Sequence, residues 1–94
     1  MSTSTDFESL LRDAPLPLIA ARIRRARKAK GWSHDKLGAA MGGVTRQHLI
    51  KLEKGNHRPR LETIERISEA TGRSVDWFLD PAIDPSPFPD ELAA

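Results

Sequence analysis

Residues 33–55, SHDKLGAAMGGVTRQHLIKLEKG, constrain this chain more than any other stretch. They read as two short amphipathic segments with a pair of glycines between them. Leu37, Ala40 and Met41 give the first segment an apolar stripe at helical spacing, and Val44, Leu49 and Leu52 give the second its own. Gly42 and Gly43 stand where the chain must turn sharply, a place that calls for positive φ. Ser33 and Thr45 precede the two segments and suit N-caps, and Asp35 falls in a favourable first turn.

With 94 residues, the chain has room for one small domain and a single modest core. It has no cysteine, which excludes a disulfide framework and a Cys-based zinc site. The N-terminus lacks a basic region followed by an apolar run, so no signal peptide is expected. No apolar stretch approaches the ~20 residues of a membrane span. A cytoplasmic location is the expectation.

The net charge of +2 conceals a sharper layout. Residues 1–17 sum to about −2 and residues 80–94 to about −4, while residues 18–79 carry fourteen Lys/Arg against six Asp/Glu, about +8. A basic middle between acidic ends points to a polyanionic partner for the middle.

Local signals divide the chain further. Thr5 with Glu8 resembles a capping box that opens a short helix carrying Phe7, Leu10 and Leu11, ending before Pro15. A longer helix starts near 17 or 18 and runs to about 29, with Ile19, Ile23 and Ala26 inward and basic residues over the rest; Gly31 stops it. Gly55 ends the second segment of the glycine-turn pair, and 56–60 form a basic loop. Residues 61–71 repeat Leu61, Ile64, Ile67 and Ala70 on one face, with Gly72 as the stop. Ser74 caps a last short helix through Leu79. Prolines at 81, 85, 87 and 89 then forbid a regular helix. No strand-period segment occurs, so the fold class is all-α.

Two helices joined by a glycine turn describe a helix-turn-helix, whose second helix enters the DNA major groove. The solvent side of that second helix carries Arg46, Gln47, Lys51 and Lys54. Arginine and lysine suit guanine O6/N7, and glutamine suits adenine N6/N7.

At this point the residues resemble a known family. From 23 to 79 the chain is similar to the Cro/CI-type (XRE-type) helix-turn-helix domain of phage repressors and small bacterial regulators. The likeness rests on Gly31-Trp32-Ser33, Gly42 with Val44-Thr45-Arg46, Leu52-Glu53-Lys54-Gly55, Arg58-Pro59-Arg60, and Ser74 through Leu79. It implies a compact five-helix domain over 18–79, preceded by an appendage over 1–17 with a short helix. An extended, acidic, Pro-rich tail over 80–94 follows, available to a protein partner. It also implies a repressor that binds a near-palindromic duplex operator as a homodimer. An antitoxin built on the same domain, and a helical protein-interaction module, are the alternatives.

The resemblance assigns base contacts to Arg46, Gln47 and Lys51. Ser33, His34 and Thr45, at helix starts, suit phosphates or pure capping, Lys54, Asn56 and Arg58 belong to a basic loop along the DNA backbone, and the resemblance places Arg60 at the minor groove. His48 stands at a phosphate or in solvent, and Ile50 at a thymine methyl or in packing. Arg27 and Glu53 occupy the positions of a salt bridge between the first and third helices of the family. Three departures stand out: a second glycine at 42–43, His34 where glutamine commonly touches a phosphate, and Ala26 where leucine is usual. Trp32 and Trp77 read as core residues, since aromatic content is too low for a single-strand stacking surface. His34, His48 and His57 lack the spacing of a zinc helix, and no catalytic set is apparent. No enzyme activity, metal or cofactor is expected.

Overall fold

The computed structural model describes residues 6–85. Six helices follow in order: α1 (Phe7–Asp13), α2 (Leu16–Ala29), α3 (His34–Ala40), α4 (Arg46–Glu53), α5 (Leu61–Thr71) and α6 (Val75–Leu79). No strand occurs among the described residues. The all-α class stands.

Helix boundaries follow local chemistry. The Ser33 hydroxyl accepts the Lys36 N–H at 3.1 Å, and the Thr45 hydroxyl accepts the His48 N–H at 3.3 Å. Each satisfies one of the orphan donors of a first turn. α2 opens one or two residues earlier than the sequence suggests, with Pro17 in its first turn, where a missing N–H costs nothing. α1 is capped by Asp6, and Thr5, the expected cap, lies outside the described residues. The Asp6 carboxylate accepts from the Ser9 hydroxyl at 2.8 Å and the Ser9 N–H at 3.2 Å. These bonds, the hydroxyl bond first, hold the Asp6 carboxyl below its ordinary value. The cap therefore acts above the unfolded carboxylate range and fades as pH falls through the lowered value.

The core is built from every helix. Ile19, Ile23, Leu37, Leu49, Leu52, Ile64, Ile67, Phe78 and Leu79 are fully buried. α2 packs on α4, α5 and α6, while α3 packs on α4 and α5. The segment expected as an N-terminal appendage is integrated: α1 lies on α5 and α6, and Leu11 and Ala14 enter the core. Trp77 meets Phe78 edge-on, centroids 5.0 Å apart, and Trp32 packs half-buried against the core. Ala40 is exposed, contrary to its expected place in the apolar stripe, and Gly38 takes the buried position on α3.

That glycine sets the spacing of the turn. A Cβ on Gly38 would collide with the Val44 carbonyl oxygen. Its own carbonyl accepts from Gly43 N–H at 2.9 Å and Val44 N–H at 3.0 Å. Gly42 and Gly43 adopt φ of 95° and 107°, so the extra residue is absorbed in a conformation that L side chains rarely take.

The basic helix α2 buries two of its arginines, Arg22 and Arg27. Arg22 is 5% exposed and donates to the carbonyls of Trp77 and Asp80 at 2.8 Å each and of Ile83 at 2.6 Å. The Pro-rich tail is thus pinned as far as Ile83, and the rest of the expected tail, beyond 85, lies outside the described residues.

Gly43→Ala should destabilise the fold by about 1–3 kcal/mol through backbone strain alone, since open space surrounds its Cα. Gly38→Ala should cost more, because its Cβ would collide with the Val44 backbone, which cannot move aside as a flexible side chain would. Urea unfolding of the two variants measures this. Equal midpoints for Gly38→Ala and the parent would overturn the close-approach account.

Candidate nucleic-acid interface

α4 is eight residues long, and it buries only Leu49 and Leu52. Arg46, Gln47 and Lys51, the expected base readers, are all exposed on it. Arg46 is 59% exposed and its Nε lies 3.7 Å from Asp35 on α3. A solvated pair of this kind is worth about 0–1 kcal/mol and yields readily to a better acceptor. Ile50 and His48 are half-buried, and the His48 ring lies 5.7 Å from that of His57 in the following loop.

The surface around this helix is predominantly basic, with Asp35 at its edge. Between Asp35 and Glu62 the chain contains a single acid, Glu53. Its side chain is 7% exposed and faces inward. Arg27 Nε donates to one Glu53 oxygen at 2.8 Å and Arg27 Nη2 to the other at 3.1 Å. Arg27 Nη1 donates to the Trp32 carbonyl at 2.8 Å. The pair expected between these helices is present, as a bidentate fork.

Two residues expected at phosphates make contacts within the fold, although Arg58 stays exposed overall. His34 Nε2 lies 3.2 Å from Glu53 Oε1, so its imidazole joins the buried pair rather than facing outward. Arg58 Nη1 donates to the carbonyls of Leu11 at 2.6 Å and Ala14 at 2.5 Å. These carbonyls at the end of α1 have no partner within the helix, and a guanidinium satisfies them. The other members of the backbone set remain available. Lys54, Asn56 and Arg60 are exposed, and the Ser33 and Thr45 hydroxyls accept in their caps while keeping an O–H to donate.

Sequence reasoning missed Arg22, Gly38 and the anchoring role of Arg58. Arg22 had a signal, since it lies between Ile19 and Ala26 on the inward side of α2. Gly38 had one as well, an isolated glycine inside a helical pattern. Arg58 had none, because its partners lie 44 and 47 residues away.

The geometry is that of a known family. Residues 23–78 match the helix-turn-helix family, and the chain belongs to it, in its Cro/CI (XRE) type. The SPbeta prophage-derived uncharacterized HTH-type transcriptional regulator YonR of Bacillus subtilis (strain 168) is 32% identical over 62 residues, covering 66% of this chain and 56% of that protein. An uncharacterized HTH-type transcriptional regulator of Sinorhizobium medicae (strain WSM419) is 34% identical over 64 residues, covering 68% and 45%. One of Methanothermobacter thermautotrophicus (strain Delta H) is 45% identical over 51 residues, covering 54% and 72%. The chain spans about half the length of the Bacillus and Sinorhizobium relatives. Among solved structures, that of the hypothetical transcription factor NHTF from Neisseria shares the fold, with a TM-score of 0.66 over 87% of each chain at 23% identity.

Glu53→Ala should leave a largely buried guanidinium without its carboxylate and destabilise the protein by about 3–5 kcal/mol. Glu53→Gln should cost less, because the amide oxygen still accepts one bond. Urea unfolding measures both, and a Glu53→Ala loss under 1 kcal/mol would mean the pair holds nothing together.

Proposed function

We propose that this chain regulates transcription by binding duplex DNA sequence-specifically, with α4 in the major groove. The observation that carries the reading is the outer face of α4: Arg46, Gln47 and Lys51 project into solvent, and the only acid from 36 to 61 is buried. Arginine and lysine present donors to guanine, and glutamine presents a donor and an acceptor to adenine. Ser33 and Thr45 hydroxyls, at helix starts, approach phosphates. Lys54, Asn56 and Arg60 follow the backbone, Arg60 toward the minor groove, where a narrow A·T-rich segment favours it. His48, whose ring lies 5.7 Å from that of His57, joins them at a phosphate in this reading.

In its finer form the reading is a repressor of the phage Cro or immunity type. It acts as a homodimer on a near-palindromic operator and occludes a promoter. The prophage origin in the name of the Bacillus relative supports the phage setting. Among the described residues no helix is long and apolar enough to cross a membrane.

Selection of binding sites from a randomised duplex pool, using the full chain, tests this directly. Enrichment of one motif is expected, and recovery of random sequence would overturn sequence-specific binding. On the selected duplex, Arg46→Ala and Gln47→Ala should each weaken binding by about 1–3 kcal/mol while affinity for random duplex stays nearly unchanged. Equal losses on both duplexes would reassign these side chains to phosphates.

A further inference from the structure

Beside the outer face of α4, the surface continues into an open groove between α2 and the C-terminal end of α4. Its volume is about 480 Å³, and Pro17, Ala20, Arg24, Lys28, Glu53 and Lys54 line it. We propose that this groove is a second contact site for duplex DNA, taking the sugar-phosphate backbone that flanks the bases read by α4. The proposal rests on the DNA-binding reading above and extends it to a helix outside the helix-turn-helix pair.

Shape, charge and continuity support this occupant. Small residues keep the floor low, and the end of α4 sits close on the start of α2. A Cβ on Gly55 would meet Ala20 Cβ and the Leu16 carbonyl, each at 3.7 Å. Over that floor stand Arg24 and Lys28, one helical turn apart on the exposed side of α2, with Lys54 across from them. No acid among the described residues forms an ion pair with any of the three. Glu53 does not oppose an anion there, because Arg27 and His34 already engage both of its oxygens. A lysine at a helix end also complements the helix dipole, which accounts for Lys28 and Lys54 singly. It does not account for Arg24, in mid-helix. Lys51 on α4 and Lys54 at its C-cap, three residues apart, join the base-reading face to the groove as one cationic track. An extended polyanion leaving the major groove fits such a track.

The test uses the full chain and the duplex selected from the randomised pool. That duplex is prepared trimmed to the selected base pairs, and extended at both ends by about half a helical turn, ~5 base pairs. Affinity is measured by fluorescence anisotropy across a salt series for the parent and for the double variant Arg24→Gln, Lys28→Gln. Both side chains are exposed, and a melting curve checks that the variant folds. The parent should bind the extended duplex about tenfold more tightly at low salt. Its slope of log K against log salt should be steeper by about 1 for each phosphate gained. The double variant should bind both lengths alike, at the parent's affinity for the trimmed duplex, and select the same motif. A variant that keeps the flank dependence, or that loses equally on both lengths, would overturn the groove as a local contact. A parent that enriches no duplex would instead overturn the DNA-binding reading itself, and the groove with it.

Discussion

Glu53 is the point on which the helix-turn-helix half of this fold converges. Its carboxylate receives the Arg27 fork from α2 and meets His34 at the start of α3, while its own backbone ends α4. Arg27 also reaches the Trp32 carbonyl, which fixes the connection between α2 and α3. An eight-residue helix has little stability of its own in water. α4 therefore holds its place through Leu49 and Leu52 in the core and through this one ionic junction. Burial of an ion pair is weak evidence for net stability, but it is well suited to specifying one arrangement among several. Apolar contacts alone would leave α4 freer to rotate or slide against α2.

The same division of labour runs through the arginines. Arg22 holds three carbonyls from the end of α6 and the chain after it, and Arg58 holds two from the end of α1. A planar guanidinium with several fixed donors can gather carbonyls from separated segments, which a lysine ammonium does less well. These arginines replace part of the apolar closure that a domain of this size lacks room to build. In consequence, the excess of positive charge in residues 18–79 overstates what faces an external polyanion. Arg22 and Arg27 are buried in internal contacts and Arg58, though exposed, commits Nη1 to α1, whereas Arg46, Lys51, Lys54 and Arg60 are exposed on α4 and beside it.

What could be read from the sequence was what depends on near neighbours. Helical periods, the glycine stops at 31, 55 and 72 and the caps at Ser33 and Thr45 all act within four residues, and the structure has them. The Arg27–Glu53 pair, separated by 26 residues, came within reach only through the family resemblance. Where reading from the chain failed, the deciding partner was distant. His34 is drawn to Glu53 and Arg58 to α1, and nothing beside either in sequence marks it as engaged. Ala40 failed for a different reason. Its spacing allows burial, but the face of α3 that meets the turn and α4 is the one carrying Gly38, where the Val44 backbone fills the place a side chain would take, and Ala40 lies off that face.

The outer face of α4 is only loosely tied to this frame. Arg46 has the single exposed contact with Asp35, and Gln47 and Lys51 point away from the core. Substitutions there change the donors and acceptors offered outward while leaving Leu49, Leu52 and Glu53 where they are. The second turn glycine fits the same scheme. It lengthens the link between α3 and α4, yet the Gly38 carbonyl gathers the Gly43 and Val44 N–H groups and closes the turn again. The added residue is confined to a backbone loop with open space around both glycines, while α4 is held by Leu49 and Leu52 in the core and by the ionic junction. A frame that fixes helix position from behind leaves the front free to vary, and one backbone can then serve many different surfaces.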